Sequence, residues 1–580
     1  MSQRKDLVTV RAVALLVAAG TVLLACGYAN ALAAAFVFDD DPSIIANSSI
    51  RRLWPLTEVL FARAEGGRPH DGRPLLNLSL ALNYVAHGLW RPGYRLVNLA
   101  IHLANALLLF DVIRRLLRVA GERLVASPAA VAAAASLLWL AHPLHTHVIT
   151  YTIQRAESLA ALWILAAFDL AVLALAKGSL PAAVAAGLAA AVGGLAKETT
   201  VSILPLVLAA DWAFRGRWQQ GPTMPRLRLV LYGGLAVNLL VLVGVSYGLG
   251  GRGGSAGLAT ASVYHYLLTQ ARGIWIYLGR LVWPAKLVLD HGDGLVTSFA
   301  AVWLPAVAAA AAFGLGLIGF FTAPRRWFPF AAFVLLLAPS SSLVPVATQT
   351  LAEHRMYLPS ACLIGWAVVG VAAVTRPRSR PLLVVIVAVL VAAATGRTVL
   401  RNRDYASAVS LWRQNLRDCP DNDRARTNLV AALIRNDDFA AAKPLAAEAL
   451  RSRPDRDRNW INQGRVLAAD GYTDQAIAAF GHAALLAPAS VEPLINRGIV
   501  LSRVGRFEAA AVDLTAAVSR RPDLARGWLA LGLLHLRAGR PDLAVPLLKR
   551  GLTLEPENAA GWNSLEAAAA AAATGGVPQR

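Results

Sequence analysis

The sequence predicts an all-α chain in two parts, a polytopic helical bundle in a membrane followed by a superhelix of short helical repeats. Three observations lead there. Apolar runs long enough to cross a bilayer recur through roughly the first 400 of 580 residues, which a water-soluble chain would not carry. Arginines cluster in the short loops between those runs, where positive charge sets membrane orientation. Beyond Arg401, prolines return at a fixed interval of 34 residues, the mark of a repeat array.

Composition supports this division. Hydrophobic residues make up 56% of the chain, and the mean hydropathy is +0.50. The formal charge of +21 does not point to nucleic acid, because no basic stripe with interleaved aromatics is present. Cys26, Cys362 and Cys419 form neither a CxxC pair nor a disulfide framework.

The first crossing is expected at residues 8–35. Arg4 and Lys5 at its start place the N-terminus in the cytoplasm and the next loop outside. LLAC at 23–26 looks like a lipoprotein processing site. The apolar run continues to Phe38, however, too long for a signal segment, so an uncleaved anchor is expected. Asp39, Asp40 and Asp41 follow at the handover to a polar loop. Charge so close to hydrocarbon is costly and marks a functional site by default, against the alternative of a solvated loop start. The outer loop runs to about Arg95, with apolar pieces that could lie along the interface.

Further crossings are expected at 96–113, 125–140, 159–176 and 181–195, with a sixth ending at Asp211 and a seventh at 229–247. Residues 263–283 carry Gln270, Arg272 and Arg280 and read as interfacial or re-entrant, since a full crossing would put Arg325 and Arg326 outside. Crossings at 299–321 and 327–337, a tenth ending before Arg376 and an eleventh at 382–398 complete the bundle. About eleven spans from an inside start leave everything after Arg401 outside.

Pro420, Pro454, Pro488, Pro522 and Pro556 then mark four repeats from about 423 to 558. Gly464, Gly498 and Gly532 fall in phase on the first helix of each pair, and Ala442, Ala476, Ala510 and Ala544 on the second. Ala449, Ala483 and Ala517 follow seven residues later. Small residues let antiparallel helices approach, and proline stops the second helix. This is the tetratricopeptide period, and such stacks commonly hold an extended peptide in their concave face. The expected domains are 1–403 for the membrane bundle, 404–566 for a half repeat plus four repeats, and 567–580 for a low-complexity, frayed tail.

The topology gathers most of the conspicuous polar motifs on the outer side. They are Asp39 and Asp40; Arg73 and Asn77; His142, His145, His147, Gln154, Arg155 and Glu157; Lys197 and Glu198; Arg280, Asp290 and His291; and Glu353, His354, Arg355 and Tyr357. Carboxylates and cations converging at a membrane face suit a reaction with an anionic leaving group, the carboxylate as base and Arg or Lys on phosphate. HPLHTH lacks the spacing of a metal site, so hydrogen-bonding histidines are expected and no metal is assigned. Lys197 with Glu198, and the EHRMY segment, could equally be structural ion pairs.

The motifs FVFDDDPSIIANSSI, RPLLNLSLALNYVAHGL, GYRLVNLAIHLANALLL, AHPLHTHVITYTIQRAESLAAL, GLAKET, LGRLVWPAKLVLDH and AEHRMYLPS, in that order, resemble the transmembrane and tetratricopeptide repeat-containing O-mannosyltransferases and their bacterial relatives. Those are GT-C glycosyltransferases. The resemblance implies a GT-C-like fold and transfer of a sugar from a lipid-phosphate carrier to Ser or Thr of an exported polypeptide. It places the family's acidic pair on Asp39 and Asp40. His147 stands where the family often has Glu, Arg95 where GYH is usual, and Asp41 adds a third acid.

The expected reaction has Asp39 or Asp40 as base and inverts the sugar. Arg155, Lys197, Glu198, Arg280, Asp290, Glu353, His354, Arg355 and Tyr357 are expected around the donor phosphate and substrate, with Arg73, Asn77, His142, His145 and Gln154 as loop support. No cofactor is expected beyond the lipid-linked sugar substrate, and nothing in the sequence calls for a divalent cation. The partners are that donor and an acceptor polypeptide in the repeat groove, and the location is a bacterial inner membrane with acidic loop and repeats outside. The rival readings are a non-catalytic repeat scaffold, a transporter, for which internal symmetry and midplane charge are lacking, and a GT-C enzyme acting on lipid or glycan.

Overall fold

A computed structural model describes residues 2–62, 70–121, 124–248, 262–292, 294–341, 346 and 349–573. The described residues are helices and their connections, in two compact units, Met1–Cys419 and Pro420–Arg580.

The membrane unit is built on α1 (Ser2–Tyr28), α2 (Pro74–His87), α3 (Arg91–Ala120), α4 (Pro128–Ala141), α5 (Arg155–Lys177), α6 (Leu180–Gly194), α7 (Ile203–Ala213) and α8 (Met224–Gly248). It continues with α9 (Val263–Val282), α10 (Trp303–Thr322), α11 (Pro324–Ser341), α12 (Pro359–Val374), α13 (Arg380–Asp404) and α14 (Ala408–Asp418). Each expected crossing is helical among the described residues. Six described helices are long and apolar enough to cross a bilayer, seven if α4 and Pro143–Ile149, bent by 50°, make one span. The 11 residues of α7 rise only about 16 Å, half of a hydrocarbon core. Residues 263–282, expected as interfacial or re-entrant, form one continuous helix. It docks through Tyr277, which packs with Leu144, Leu287 and Leu337.

The core lies between α3, α5, α6, α7 and α8, with alanine lining the closest approaches. A Cβ on Gly187 of α6 would stand 2.8 Å from Cα of Gly234 on α8, so nothing larger fits without separating the helices. α3 and α5 run parallel. Arg155 at the start of α5 bonds Tyr94 and Asn98 near the start of α3, and further along Arg115 meets Asp169 at 2.9 Å. This direction separates two ends. Arg215, Arg217, Arg325 and Arg326 border one cavity together with Gly121 and Val374. The opposite end collects the loops around Asp40, His145, Lys197 and His354. Ties such as Thr150 Oγ1 to Asn402 Oδ1 (2.8 Å) and Asn402 Nδ2 to Gly27 O (2.9 Å) hold it closed.

The half repeat packs in the membrane unit. The Trp412 ring of α14 meets Phe38 edge-on at 5.3 Å, and Asn415 exchanges two 2.9 Å hydrogen bonds with the main chain of Asp290.

The second unit pairs α15 (Asp423–Arg435) with α16 (Phe439–Ser452), α17 (Asp457–Ala469) with α18 (Thr473–Leu486), α19 (Glu492–Arg503) with α20 (Phe507–Arg520) and α21 (Ala525–Arg537) with α22 (Pro541–Leu554). A Cβ on Gly464, Gly498 or Gly532 would lie 2.6–2.7 Å from Phe480, Leu514 or Leu548 of the partner helix. The four in-phase alanines, Ala442, Ala476, Ala510 and Ala544, are fully buried. The tail differs from expectation. Residues 567–573 continue α23 (Ala559–Ala573), whose buried Leu565 and Ala568 cover the last pair. The remainder of the expected tail, 574–580, lies outside the described residues.

Candidate functional site

The acidic turn begins at Phe38, a non-glycine residue at φ +52°, a conformation that costs on the order of 1–3 kcal/mol and persists only where its surroundings fix it. They do so here, because the Phe38 ring is held between Trp412 and Tyr151. Beyond it the two aspartates part. Asp40 is fully buried, and its carboxylate accepts the backbone N–H groups of Ile153 (2.8 Å), Val37 (3.2 Å) and Thr152 (3.4 Å). Burial pushes its pKa up to about 7 against the lowering pull of Arg95 and those N–H groups. Asp39 is only partly buried, and its N–H donates to the Tyr151 hydroxyl at 3.1 Å. Asp41 opens the short helix Asp41–Ile45.

Asn77 fixes the neighbouring loop, donating to Val59 O (2.6 Å) and Ser49 Oγ (2.9 Å) and accepting from Asn47 (3.1 Å). Arg73 lies 3.8 Å from Glu198. Gln154 stands directly before α5, its N–H bonded to Tyr151 O at 3.2 Å.

His354 is the hub of the next cluster. Its Nδ1 is 3.4 Å from His147 Nε2 and its Nε2 is 3.7 Å from Glu157, which also pairs with Lys197. Burial, and after it the positive fields of His147, Lys197, Arg355 and Arg73, hold the His354 pKa well below the ordinary histidine range. Arg355 is tied to Tyr266 OH (3.2 Å), Thr350 O (2.9 Å) and Gln349 O. Glu353 accepts Val288 N–H at 2.9 Å and lies 3.6 Å from His291. Burial disfavours the His291 charge, yet Cys419 and Glu353 beside it more than offset that and set its pKa at about 9. Asp290 caps its own turn through Gly292 N–H at 3.2 Å.

Two residues expected around the donor, Arg155 and Tyr357, are bonded within the interior, as are His142 and His145, expected as loop support. Arg155 is fully buried and spends its guanidinium on Asn98 Oδ1 (2.6 Å), Tyr94 O (2.9 Å), and Ser79 O and Oγ (3.1 and 3.3 Å). It therefore rivets α2, α3 and α5. Tyr357 lies in the core, bonded to His102 (2.7 Å) and Asn105 (3.1 Å). His142 bonds Leu281 O (2.9 Å), and His145 bonds Ser360 Oγ (3.3 Å). Arg280 is half-buried, and its Nε has no partner among the described residues. Among those residues no group of three His, Cys, Asp or Glu is placed to hold a metal ion.

Sequence reasoning passed over Arg401. It reads as one more positive charge at the end of an apolar run. In the structure it is buried, bonded to Asp404 (2.9 Å) and Gln414 (2.7 Å), while its Nε and Nη2 have no partner among the described residues.

Below the cluster, Glu157, Thr199, Arg355 and Tyr357 line a small pocket together with Ile164, Leu336 and Leu358. Those three apolar residues also line an apolar cavity of about 1150 Å³ that extends between α3, α7, α11 and α12 to the basic turns.

Fold and site together define a polytopic helical membrane protein whose charged cluster crowns an apolar cavity, joined to a tetratricopeptide unit. Residues 525–570 match the family model described as tetratricopeptide repeat. The chain is 24% identical over 420 residues to the protein O-mannosyl-transferase F38B6.6 of Caenorhabditis elegans, covering 69% of this chain and 57% of that protein. It is 26% identical over 467 residues to the human protein O-mannosyl-transferase TMTC4, covering 71% and 62%. Over 159 residues it is 37% identical to the protein O-mannosyl-transferase Tmtc3 of Drosophila melanogaster, covering 24% and 17%. The chain thus spans about six-tenths of the length of the first two relatives. These are the transmembrane and tetratricopeptide repeat-containing proteins that the sequence motifs resemble. Among solved structures, the Thermus thermophilus tetratricopeptide protein TTC0263 is similar at 20% identity and TM-score 0.27, over 30% of this chain and 92% of that one.

Proposed function

We propose that this chain is a membrane glycosyltransferase that moves a hexose, mannose or another, from a polyprenyl phosphate to Ser or Thr hydroxyls of exported polypeptides. The names of the relatives support protein O-mannosyl transfer. The observation that carries the lipid-linked donor is the cavity. Its apolar walls suit a prenyl chain, and at its upper end three shared residues lead to a pocket lined by Arg355 and Glu157, where a phosphate would meet a cation.

Asp39, the more accessible aspartate, removes the acceptor hydroxyl proton. The freed oxygen attacks the anomeric carbon as the bond from that carbon to the phosphate oxygen breaks, and one displacement inverts the centre. Arg355, with Lys197 and Arg280, stabilises the departing lipid phosphate. Asp40 is a positioning residue. Its three backbone hydrogen bonds lock the acidic turn against the loop before α5. The basic turns face the cytoplasm of a bacterial inner membrane, and the acidic turn and repeats face outward. The repeat unit presents the acceptor.

Mass spectrometry of exported proteins tests this in cells carrying the wild-type chain or Asp39→Asn. Loss of a hexose from Ser or Thr in the variant, at equal membrane abundance, is expected; identical glycopeptides in both would overturn the reading.

A further inference from the structure

The first helices of the repeats, α15, α17, α19 and α21, pack on one another in succession and form the inner layer of the superhelix. Charge is divided unevenly between its layers. The four first helices carry nine arginines against three carboxylates, whereas α16, α18, α20 and α22 carry five cations against five carboxylates. An arginine-rich composition alone would load both layers.

The inner arginines converge. Arg435, Arg465 and Arg526 come from three different repeats, yet Arg526 and Arg435, after burial itself, lower the pKa of Arg465 against the opposing pull of Glu492 and Asp437. Further along, Arg503, Arg526 and Arg537, outnumbering the one carboxylate, Glu555, line a groove of about 380 Å³ with Ile499 and Leu533. Asn428, Asn462 and Asn496 recur at the repeat interval on the same helices. Asn462 and Asn496 donate to Thr427 O (3.0 Å) and Glu492 O (2.9 Å), and Arg526 donates to Asn496 Oδ1 at 2.6 Å, whereas buried Asn428 Nδ2 has no partner among the described residues.

We propose that this inner layer binds an extended, acidic stretch of polypeptide. Resting on the reading above, that stretch belongs to the acceptor, so the chain selects Ser and Thr residues near Asp and Glu. Guanidinium forks match carboxylates, the unpartnered Asn428 Nδ2 can donate to a peptide carbonyl, and Ile499 and Leu533 take side chains between the charges. Nucleic acid fits less well. The inner helices' tryptophans, Trp460 and Trp528, are fixed by bonds of 2.9 Å to Pro454 O and Pro522 O rather than forming a stacking platform.

The test uses the full chain in zwitterionic nanodiscs and three labelled peptides of equal length and Ser/Thr content, bearing Asp/Glu, Asn/Gln or Lys. Fluorescence anisotropy should show the acidic peptide binding on the order of tenfold tighter than the neutral one at low salt, an advantage that added salt erodes. Arg465→Gln with Arg526→Gln should remove that preference and leave neutral-peptide binding in place. Lys443→Gln with Arg451→Gln on the outer layer should leave it intact. Equal affinity for acidic and neutral peptides would overturn the proposal, as would inner and outer variants acting alike, or an oligonucleotide or anionic vesicle displacing the acidic peptide. A hexose-transfer assay run beside the binding measurement separates the two readings. Acidic binding without hexose transfer by the wild-type chain sinks only the enzyme, and transfer without acidic preference sinks only the groove.

Discussion

The repeat unit and the membrane bundle are both helical, but they disclose their logic differently. In the repeats a role recurs every 34 residues, so each glycine or alanine is seen three or four times in the same place. In the bundle each polar residue has one role, set by partners far away in sequence. Arg155 bonds Asn98 57 positions earlier, and Tyr357 bonds His102 255 positions earlier. Repetition supplies phase, whereas a single polar residue in an apolar run supplies only a location.

The largest expected effect breaks the likeness between two adjacent acids. Asp39→Asn should lower transfer about 10²–10⁴-fold, the usual worth of a general base, with the thermal midpoint of the bundle unchanged in detergent. Asp40→Asn should lower that midpoint as well, because an amide cannot accept all three N–H groups.

Next comes the rivet. Arg155→Met should destabilise the bundle by about 3 kcal/mol, since it strands Asn98 Oδ1 and two carbonyls in the interior. It should leave the unfolding of the repeats in place. Loss of transfer without loss of stability would return Arg155 to the donor site.

The same contrast explains what was legible. Helical pairs, their glycines and their buried alanines followed from spacing alone, and the gathering of polar loops at one end of the bundle from the placement of charge in the loops. The burial of Asp40 beside a partly exposed Asp39 did not, because both are equal in the string and differ only through Val37, Thr152 and Ile153. Arg401 was missed for a similar reason. The sixth expected crossing, ending at Asp211, meets an α-helix of only 11 residues, because apolar composition does not fix where a helix starts. Residues 567–573 read as frayed because low complexity conceals a capping helix.

A smaller effect is expected in the repeats. Gly498→Val pushes a side chain into Leu514, which stands 2.6 Å from an added Cβ. It should cost about 1–3 kcal/mol, seen in chemical unfolding of the repeat transition. The smallest is a pH effect. With its folded pKa raised to about 9, His291 contributes stability that is complete below its unfolded value near 6.5 and is lost as pH rises through 9. The bundle's midpoint should therefore fall between about pH 6.5 and 9.5, and His291→Gln should flatten that slope.

The most direct measurement is transfer itself. The full chain in nanodiscs is given a polyprenyl-phosphate hexose and a Ser/Thr peptide, and the products are read by mass spectrometry. One hexose on the peptide, in the inverted configuration, from the wild-type chain and none from Asp39→Asn is the predicted result. An unmodified peptide with well-folded wild-type protein, or equal product from both, would contradict it.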